Sequence, residues 1–115
     1  MKHPTEEYHC AVEVTAEIIG GRWTPVILAQ LKQGPLRYAE LRRLIPGITE
    51  KMLTQRLREL ADRGIVERTL VSATPPHVRY ELTPEGRTLA PVLQAMWDWG
   101  ERRAEAQGLV IAAPG

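Results

Sequence analysis

Polar side chains able to read nucleic acid bases recur at helical spacing in the middle of the sequence. They are Lys51, Thr54, Gln55 and Arg58. At about 100° per residue, one side of this helix is apolar and consists of Leu53, Leu57, Leu60 and Ala61. Lys51, Gln55 and Arg58 lie on the opposite side, and Thr54 lies at the edge. Arginine and lysine donate to guanine, and glutamine pairs with adenine, in the DNA major groove. The pattern favours base reading, with the solvated face of an ordinary amphipathic helix as the alternative.

Further positive charges surround this segment and predict contacts to DNA phosphates. Residues 22–68 contain ten Lys or Arg and five Asp or Glu, a net charge of +5, whereas residues 1–21 carry −3 and residues 69–115 carry −1. Candidate DNA contacts outside the central helix are Arg37, Arg42, Arg43, Thr49, His77 and Arg79. The helix N-terminus at Thr49 favours a phosphate, and His77 is equally well interpreted as an exposed loop histidine. Phosphate contacts position a protein on the duplex, whereas base contacts determine its sequence preference.

Hydrophobic periodicity and turn residues predict the elements that position these side chains. Helices are expected at residues 10–19, 22–33, 38–45, 50–63 and 84–107, with a very short strand at 36–37 and a β-hairpin of residues 65–71 and 78–82. Thr49 suits the N-cap of the fourth helix, and Gly64 suits its end. Pro91 is expected to bend the last helix, and residues 108–115 are expected to form a loose tail. This order predicts a winged helix-turn-helix, mainly α with a small β-hairpin wing, in the α+β class.

The last predicted helix carries an apolar arc that is wide for a small domain to cover alone. Its members are Leu89, Val92, Leu93, Met96, Trp97, Trp99 and Gly100. The arc spans about 160°, compared with about 100° for a helix that buries one side. We therefore expect one domain over residues 1–115 that dimerises through residues 8–20 and 84–107 and binds DNA through residues 36–82. A kinked helix wrapped on its own core is the alternative.

Several short segments together resemble the HxlR-type branch of the winged-helix regulators, a relative of the MarR group. They are residues 20–24 (GGRWT), 34–41 (GPLRYAEL), 46–60 (PGITEKMLTQRLREL) and 75–86 (PPHVRYELTPEG), with a late tryptophan at 97 or 99. The segments follow the family's order, and the resemblance covers about residues 10–100. Arg79 departs from the family pattern, which often has Glu at this position. The resemblance implies a homodimer that binds operator DNA and controls transcription, usually of nearby genes.

The single cysteine, Cys10, is a candidate redox sensor. In the resemblance, it matches an N-terminal cysteine that in some family members senses oxidants or electrophiles such as quinones. This chemistry needs a thiolate, which a helix N-terminus favours and the neighbouring Glu6, Glu7 and Glu13 disfavour. Oxidation would link Cys10 to Cys10 of a partner subunit or add a small adduct. An inert cysteine packed at the dimer interface is the alternative.

The residue pattern gives little support for an enzyme. No glycine-rich phosphate loop is present, and His3, His9, His77 and Cys10 lack metal-ligand spacing. We therefore expect no enzyme activity, no metal and no cofactor.

The remaining features of the sequence bear on the cellular compartment and on the kind of partner that the protein binds. No signal peptide and no stretch of about 18–20 apolar residues is present, and one cysteine suits a reducing compartment, so we expect a cytoplasmic protein. Two alternatives stay open beside a DNA-binding homodimer. One is a winged helix that binds another protein instead of DNA. The other is a regulator that takes a small-molecule effector in the dimer crevice, near Trp23, Trp97 or Trp99.

Overall fold

A computed structural model of the chain describes residues 7–112, which form six helices and one three-stranded sheet. The helices are α1 (Ala11–Ile19), α2 (Thr24–Leu31), α3 (Tyr38–Leu44), α4 (Glu50–Asp62), α5 (Pro84–Arg87) and α6 (Ala90–Gln107). The strands are β1 (Leu36–Arg37), β2 (Val66–Ala73) and β3 (Pro76–Leu82). His3, Glu6 and the last three residues of the predicted tail lie outside the described residues. Within residues 7–112, no helix is long and apolar enough to cross a membrane.

Helices α3 and α4 form the expected helix-turn-helix. Gly47 in the turn has a φ of 92°, a conformation that glycine adopts without the steric cost of a side chain. The buried Ile48 anchors the turn in the core. Thr49 then starts α4, because its Oγ1 accepts a hydrogen bond from the Met52 backbone N–H at 3.1 Å. The prediction of Thr49 as the N-cap is confirmed.

The wing belongs to a three-stranded antiparallel sheet in the order β1-β3-β2. Tyr80 of β3 lies opposite Leu36 of β1, and Leu82 of β3 lies opposite Val66 of β2. The short strand predicted at residues 36–37 is confirmed. The hairpin strands are longer than expected, because pairing resumes after an irregularity near Leu70 and continues to the turn. Pairing with β1 ties the wing directly to the start of α3.

One apolar core holds α4 in place. Leu53, Leu57 and Leu60 are each no more than 2% exposed, as the stripe predicted, whereas Ala61 is only half-buried. The same cluster contains Ile27, Leu28 and Leu31 of α2, Leu41 of α3, Tyr80 and Leu82 of β3, and Leu93 of α6. Full burial of a leucine contributes about 1.5–3 kcal/mol. Three such residues in α4 therefore fix which side of the helix faces outward.

The last predicted helix is divided into two, which corrects the expectation of one bent helix. α5 ends at Arg87 and α6 begins at Ala90. In a continuous helix, the ring of Pro91 would clash with the carbonyl of Arg87, four residues earlier. Pro91 instead lies in the first turn of α6, where its missing N–H costs no helical hydrogen bond.

The division of this helix also changes how much of its apolar arc lies on the surface of the chain. Leu93 is only 5% exposed and packs in the chain's own core, so it offers little surface to a partner subunit. Leu89 and Val92 are half-buried against the same core. The break at residues 88–89 turns this first part of the arc inward. Only the later part of the arc stays on the surface.

Candidate nucleic-acid interface

The outer side of α4 brings together the four side chains predicted to read DNA. Lys51, Thr54, Gln55 and Arg58 are all exposed, and we call them the reading face. They are held in place by the leucines on the opposite side of the same helix, which are buried in the core. A protruding helix with this polar face matches the width of a B-DNA major groove.

The cations of the reading face differ from Arg56 of α4 and from Arg63, which follows the helix. Arg56 Nη1 donates to Glu59 Oε1 at 2.7 Å, and Arg63 Nη2 lies 3.8 Å from Glu17 Oε1 in α1. In the described part of the chain, no carboxylate lies within 4.0 Å of a cation of the reading face. The positive charge of this face is therefore available to an anionic partner.

The start of α4 carries an acid, Glu50, beside this face. The Glu50 carboxylate lies 3.9 Å from Arg42 Nη1 of α3. Both side chains are well exposed, so the pair adds little stability. The pair matters for the charge of the site. The positive charge of Arg42 offsets the negative charge of Glu50, which would otherwise repel a phosphate at the N-terminus of α4. Arg43, the next residue of α3, is exposed to solvent.

Tyr38 connects α3 to the reading face, a link that the sequence pattern did not predict. Its hydroxyl donates to the Glu50 carbonyl oxygen at 3.3 Å, and the same hydroxyl lies 3.2 Å from Thr54 Oγ1. The sequence shows only an aromatic residue at the start of a helix, 16 positions before Thr54. Nothing in that spacing predicts the contact, because it depends on how two helices cross.

The sheet brings two further predicted cations together. Arg37 of β1 lies directly opposite Arg79 of β3. Like charges in opposing positions destabilise a sheet by a few tenths of a kcal/mol or more. An anion held between them removes that repulsion. In the described residues, Arg79 Nε and His77 Nε2 are shielded from solvent and have no hydrogen-bond partner.

The part of the chain that the structure describes contains no group of three or more His, Cys, Asp or Glu placed to hold a metal ion.

Comparison with known proteins identifies the family. The sequence model of the HxlR-like helix-turn-helix family matches residues 18–108. The chain belongs to this family. The HTH-type transcriptional regulator YkvN of Bacillus subtilis is 45% identical over 102 residues, which cover 89% of this chain and 86% of YkvN. The fold class and the resemblance inferred from the motifs are confirmed, and the chain is a helix-turn-helix transcriptional regulator.

Solved structures of this winged-helix group superpose closely on the chain. The redox regulator HypR in its oxidised form is 45% identical with a TM-score of 0.77, covering 81% of this chain and 96% of HypR. HypR in its reduced form is 41% identical with a TM-score of 0.80, covering 86% of this chain and 98% of HypR. The redox regulation that these names state is a property of HypR.

In this HxlR-type chain, the only cysteine stands at the start of α1. Cys10 is the exposed N-cap residue, with φ −163° and ψ 167°, and its side chain makes no capping hydrogen bond. The neighbouring His9 Nδ1 lies 3.0 Å from Glu13 Oε2. The thiol is accessible to a reagent in solution.

The two long terminal helices leave apolar side chains on the surface. Val12 and Val14 of α1 and Met96, Trp97 and Trp99 of α6 are all exposed. A groove of about 590 Å³ runs between the helices and is lined by residues such as Val12, Ala16, Ile19, Val92 and Met96. A second groove, of about 510 Å³, includes Trp23, Leu44, Pro46, Trp97 and Ile111, with Gln30 as its polar side chain. The chain's own core leaves these apolar side chains uncovered.

Proposed function

We propose that the chain is a sequence-specific, double-stranded-DNA-binding transcriptional regulator that acts as a homodimer. The single observation that carries the proposal is the reading face. It presents two cations without carboxylate partners and two hydrogen-bonding side chains on the outer side of a rigidly packed helix. Arginine, lysine, glutamine and threonine in this arrangement match the donors and acceptors of base edges.

The proposed contacts divide by role. Lys51, Thr54, Gln55 and Arg58 meet base edges in the major groove. Phosphates are held from α3 and its flanks by Arg37, Arg42, Arg43 and Thr49, and from the wing by His77 and Arg79. The opposed pair Arg37 and Arg79 supports a phosphate position at the sheet, because an anion relieves the repulsion between the two cations.

The proposed dimer forms through α1 and the later part of α6. Met96, Trp97, Trp99 and Gly100 remain as its α6 members, since the chain's own core accounts for Leu93 and partly for Leu89 and Val92. Gly100 has open space beside it, where a partner helix is able to approach closely. A twofold dimer presents two reading faces about one DNA turn, 34–36 Å, or a multiple of that apart.

The test is competition binding with reduced protein and the DNA upstream of its own gene and its neighbour. We expect saturable binding that outcompetes random DNA. Six or more phosphate contacts per dimer predict a loss of about 10³-fold in affinity between 50 and 200 mM salt. Equal binding to specific and random DNA, or binding without salt dependence, contradicts the proposal and favours a winged helix that binds a protein partner.

We further propose that Cys10 makes this regulator responsive to oxidants. The exposed thiol at the start of a proposed dimerisation helix supports this role, as does the likeness to the redox regulator HypR. Diamide accepts two electrons and two protons while two Cys10 thiols form a disulfide. The disulfide links the subunits at α1 and shifts the relative position of their reading faces.

The matched variant is Cys10→Ser, which keeps a polar group of similar size without the redox chemistry. It is expected to bind the operator like the reduced wild type and to ignore diamide, whereas the wild type changes its affinity and recovers it with reductant. Equal responses of the two proteins to diamide contradict the sensing role.

A second candidate role is binding of an apolar small-molecule effector, which the groove of about 510 Å³ beside Trp23 and Trp97 favours. Its size and mainly apolar lining match those of small-molecule sites. Quenching of tryptophan fluorescence by an apolar ligand, lost in Trp23→Leu, tests it. If the partner subunit already fills this groove, the ligand does not bind and the tryptophan fluorescence is not quenched, which contradicts the effector role.

A further inference from the structure

The Tyr38 hydroxyl lies between two oxygen atoms of α4. One is the Glu50 carbonyl oxygen at 3.3 Å, and the other is Thr54 Oγ1 at 3.2 Å. A carbonyl oxygen only accepts, and a tyrosine hydroxyl has one proton. When Tyr38 donates that proton to Glu50, its own oxygen is left to accept the proton of Thr54. In that arrangement Thr54 is the donor in its contact with Tyr38.

Thr54 is exposed on the reading face, where a threonine normally has no fixed polarity. A free threonine hydroxyl rotates and either donates or accepts, and in a helix it also bonds to the carbonyl four residues earlier, here Glu50. With its proton committed to Tyr38, Thr54 Oγ1 presents only lone pairs to a partner. It then accepts hydrogen bonds and does not donate them.

We propose that Tyr38 is a specificity-determining positioning residue that makes Thr54 an acceptor toward DNA. In the major groove, adenine N6 and cytosine N4 are the donors, whereas guanine and thymine present only acceptors at their polar atoms. Each half-site therefore has one position that prefers adenine or cytosine over guanine or thymine. This inference rests on the proposed function, because it assigns a base preference to the same reading face.

The experiment measures affinity for a set of operators in which each position of one half-site carries each of the four bases. The wild type is expected to prefer adenine or cytosine roughly tenfold at one position, the discrimination typical of a base-edge contact. Tyr38→Phe removes only the hydroxyl, so this preference falls to twofold or less while the profile at other positions is unchanged. Thr54→Val, which keeps the side-chain shape, gives the same loss, and the double variant loses no more.

A second measurement needs no DNA. Urea unfolding of the wild type, the two single variants and the double variant gives the coupling between the two side chains. Destabilisation by the double variant that is smaller than the sum of the single effects supports the hydrogen bond, whereas additive effects overturn it.

Other outcomes separate the inference from the proposed function. An unchanged base profile in Tyr38→Phe overturns the inference alone. Equal weakening at every position overturns it too, because that result shows that Tyr38 only supports the helix crossing. A wild type without any base preference overturns the proposed function and the inference together.

Discussion

Arg58 is the arginine of the reading face, and its planar guanidinium is suited to a bidentate contact with guanine O6 and N7. We expect Arg58→Ala to weaken operator binding by about 1–3 kcal/mol and to relax the preference at one base position. Fluorescence anisotropy with labelled operator and with random DNA of the same length measures both effects.

Two variants control for charge. Arg102→Ala removes an exposed arginine on the side of α6 away from the apolar arc and is expected to leave operator affinity within about twofold. Arg58→Lys keeps the charge without the planar fork, so it retains non-specific affinity and weakens the base preference. Equal losses for Arg58→Ala and Arg102→Ala would show that only net charge matters and would contradict base reading.

At the scale of elements, the junction between β2, β3 and α5 holds the wing against the helices. The Thr83 hydroxyl donates to the Gly64 carbonyl oxygen at 2.6 Å, and its oxygen accepts from the Gly86 N–H at 3.0 Å. A Cβ added at Gly86 would overlap the Ile65 carbonyl oxygen, which is backbone and cannot easily move away. The start of α5 is therefore packed against the end of α4 through a position without a side chain.

Gly86→Ala is accordingly expected to reduce the free energy of unfolding by about 1–3 kcal/mol, as overpacking does. Gly100→Ala is the matched control within the chain, because nothing lies within 4 Å of its added Cβ. At concentrations where the protein is a monomer, its higher helix propensity is expected to stabilise the folded chain by about 0.5–1 kcal/mol. Urea unfolding by circular dichroism measures both, and a neutral Gly86→Ala would contradict the close approach.

The elements themselves could be predicted where local rules decide them. The stripe and N-cap of α4 depend on residues within one helix, and both are confirmed. The break between α5 and α6 was missed because Pro91 allows either a bend in one helix or the first turn of a new one. The structure has the second, and Leu93 of the new helix packs in the core.

The candidate site likewise has features that local sequence rules predict and features that depend on the fold. The reading face was predictable because its members lie on one helix, at fixed angles around its axis. Two other features of the site join residues that are distant in sequence. Arg37 lies opposite Arg79 in the sheet, and the hydroxyl of Tyr38 contacts that of Thr54. They depend on strand register and helix crossing, which periodicity does not determine.

At the scale of the whole molecule, the polar reading face and the exposed apolar groups of α1 and α6 lie on different elements. We assign the first to DNA and the second to a partner subunit. Trp99 is 60% exposed and Leu70 of the wing is 57% exposed, so the two offer similar apolar surface on different elements.

We expect Trp99→Glu to shift the protein from dimer to monomer, because it places a charge within the proposed apolar interface. Leu70→Glu is expected to remain a dimer. Sedimentation equilibrium over a range of concentrations measures the dissociation constants. A monomeric wild type, or a dimer that Trp99→Glu leaves intact, would contradict the assigned interface.

Selection of bound sequences from random double-stranded DNA tests the central claim most directly, because every possible operator sequence competes in one experiment. We predict enrichment of two inverted half-sites whose centres are about 10–10.5 base pairs, or a multiple of that, apart. We also predict that Arg58→Ala loses enrichment at one position in each half-site. Recovery of random sequence after repeated rounds would contradict the claim that this helix-turn-helix reads DNA.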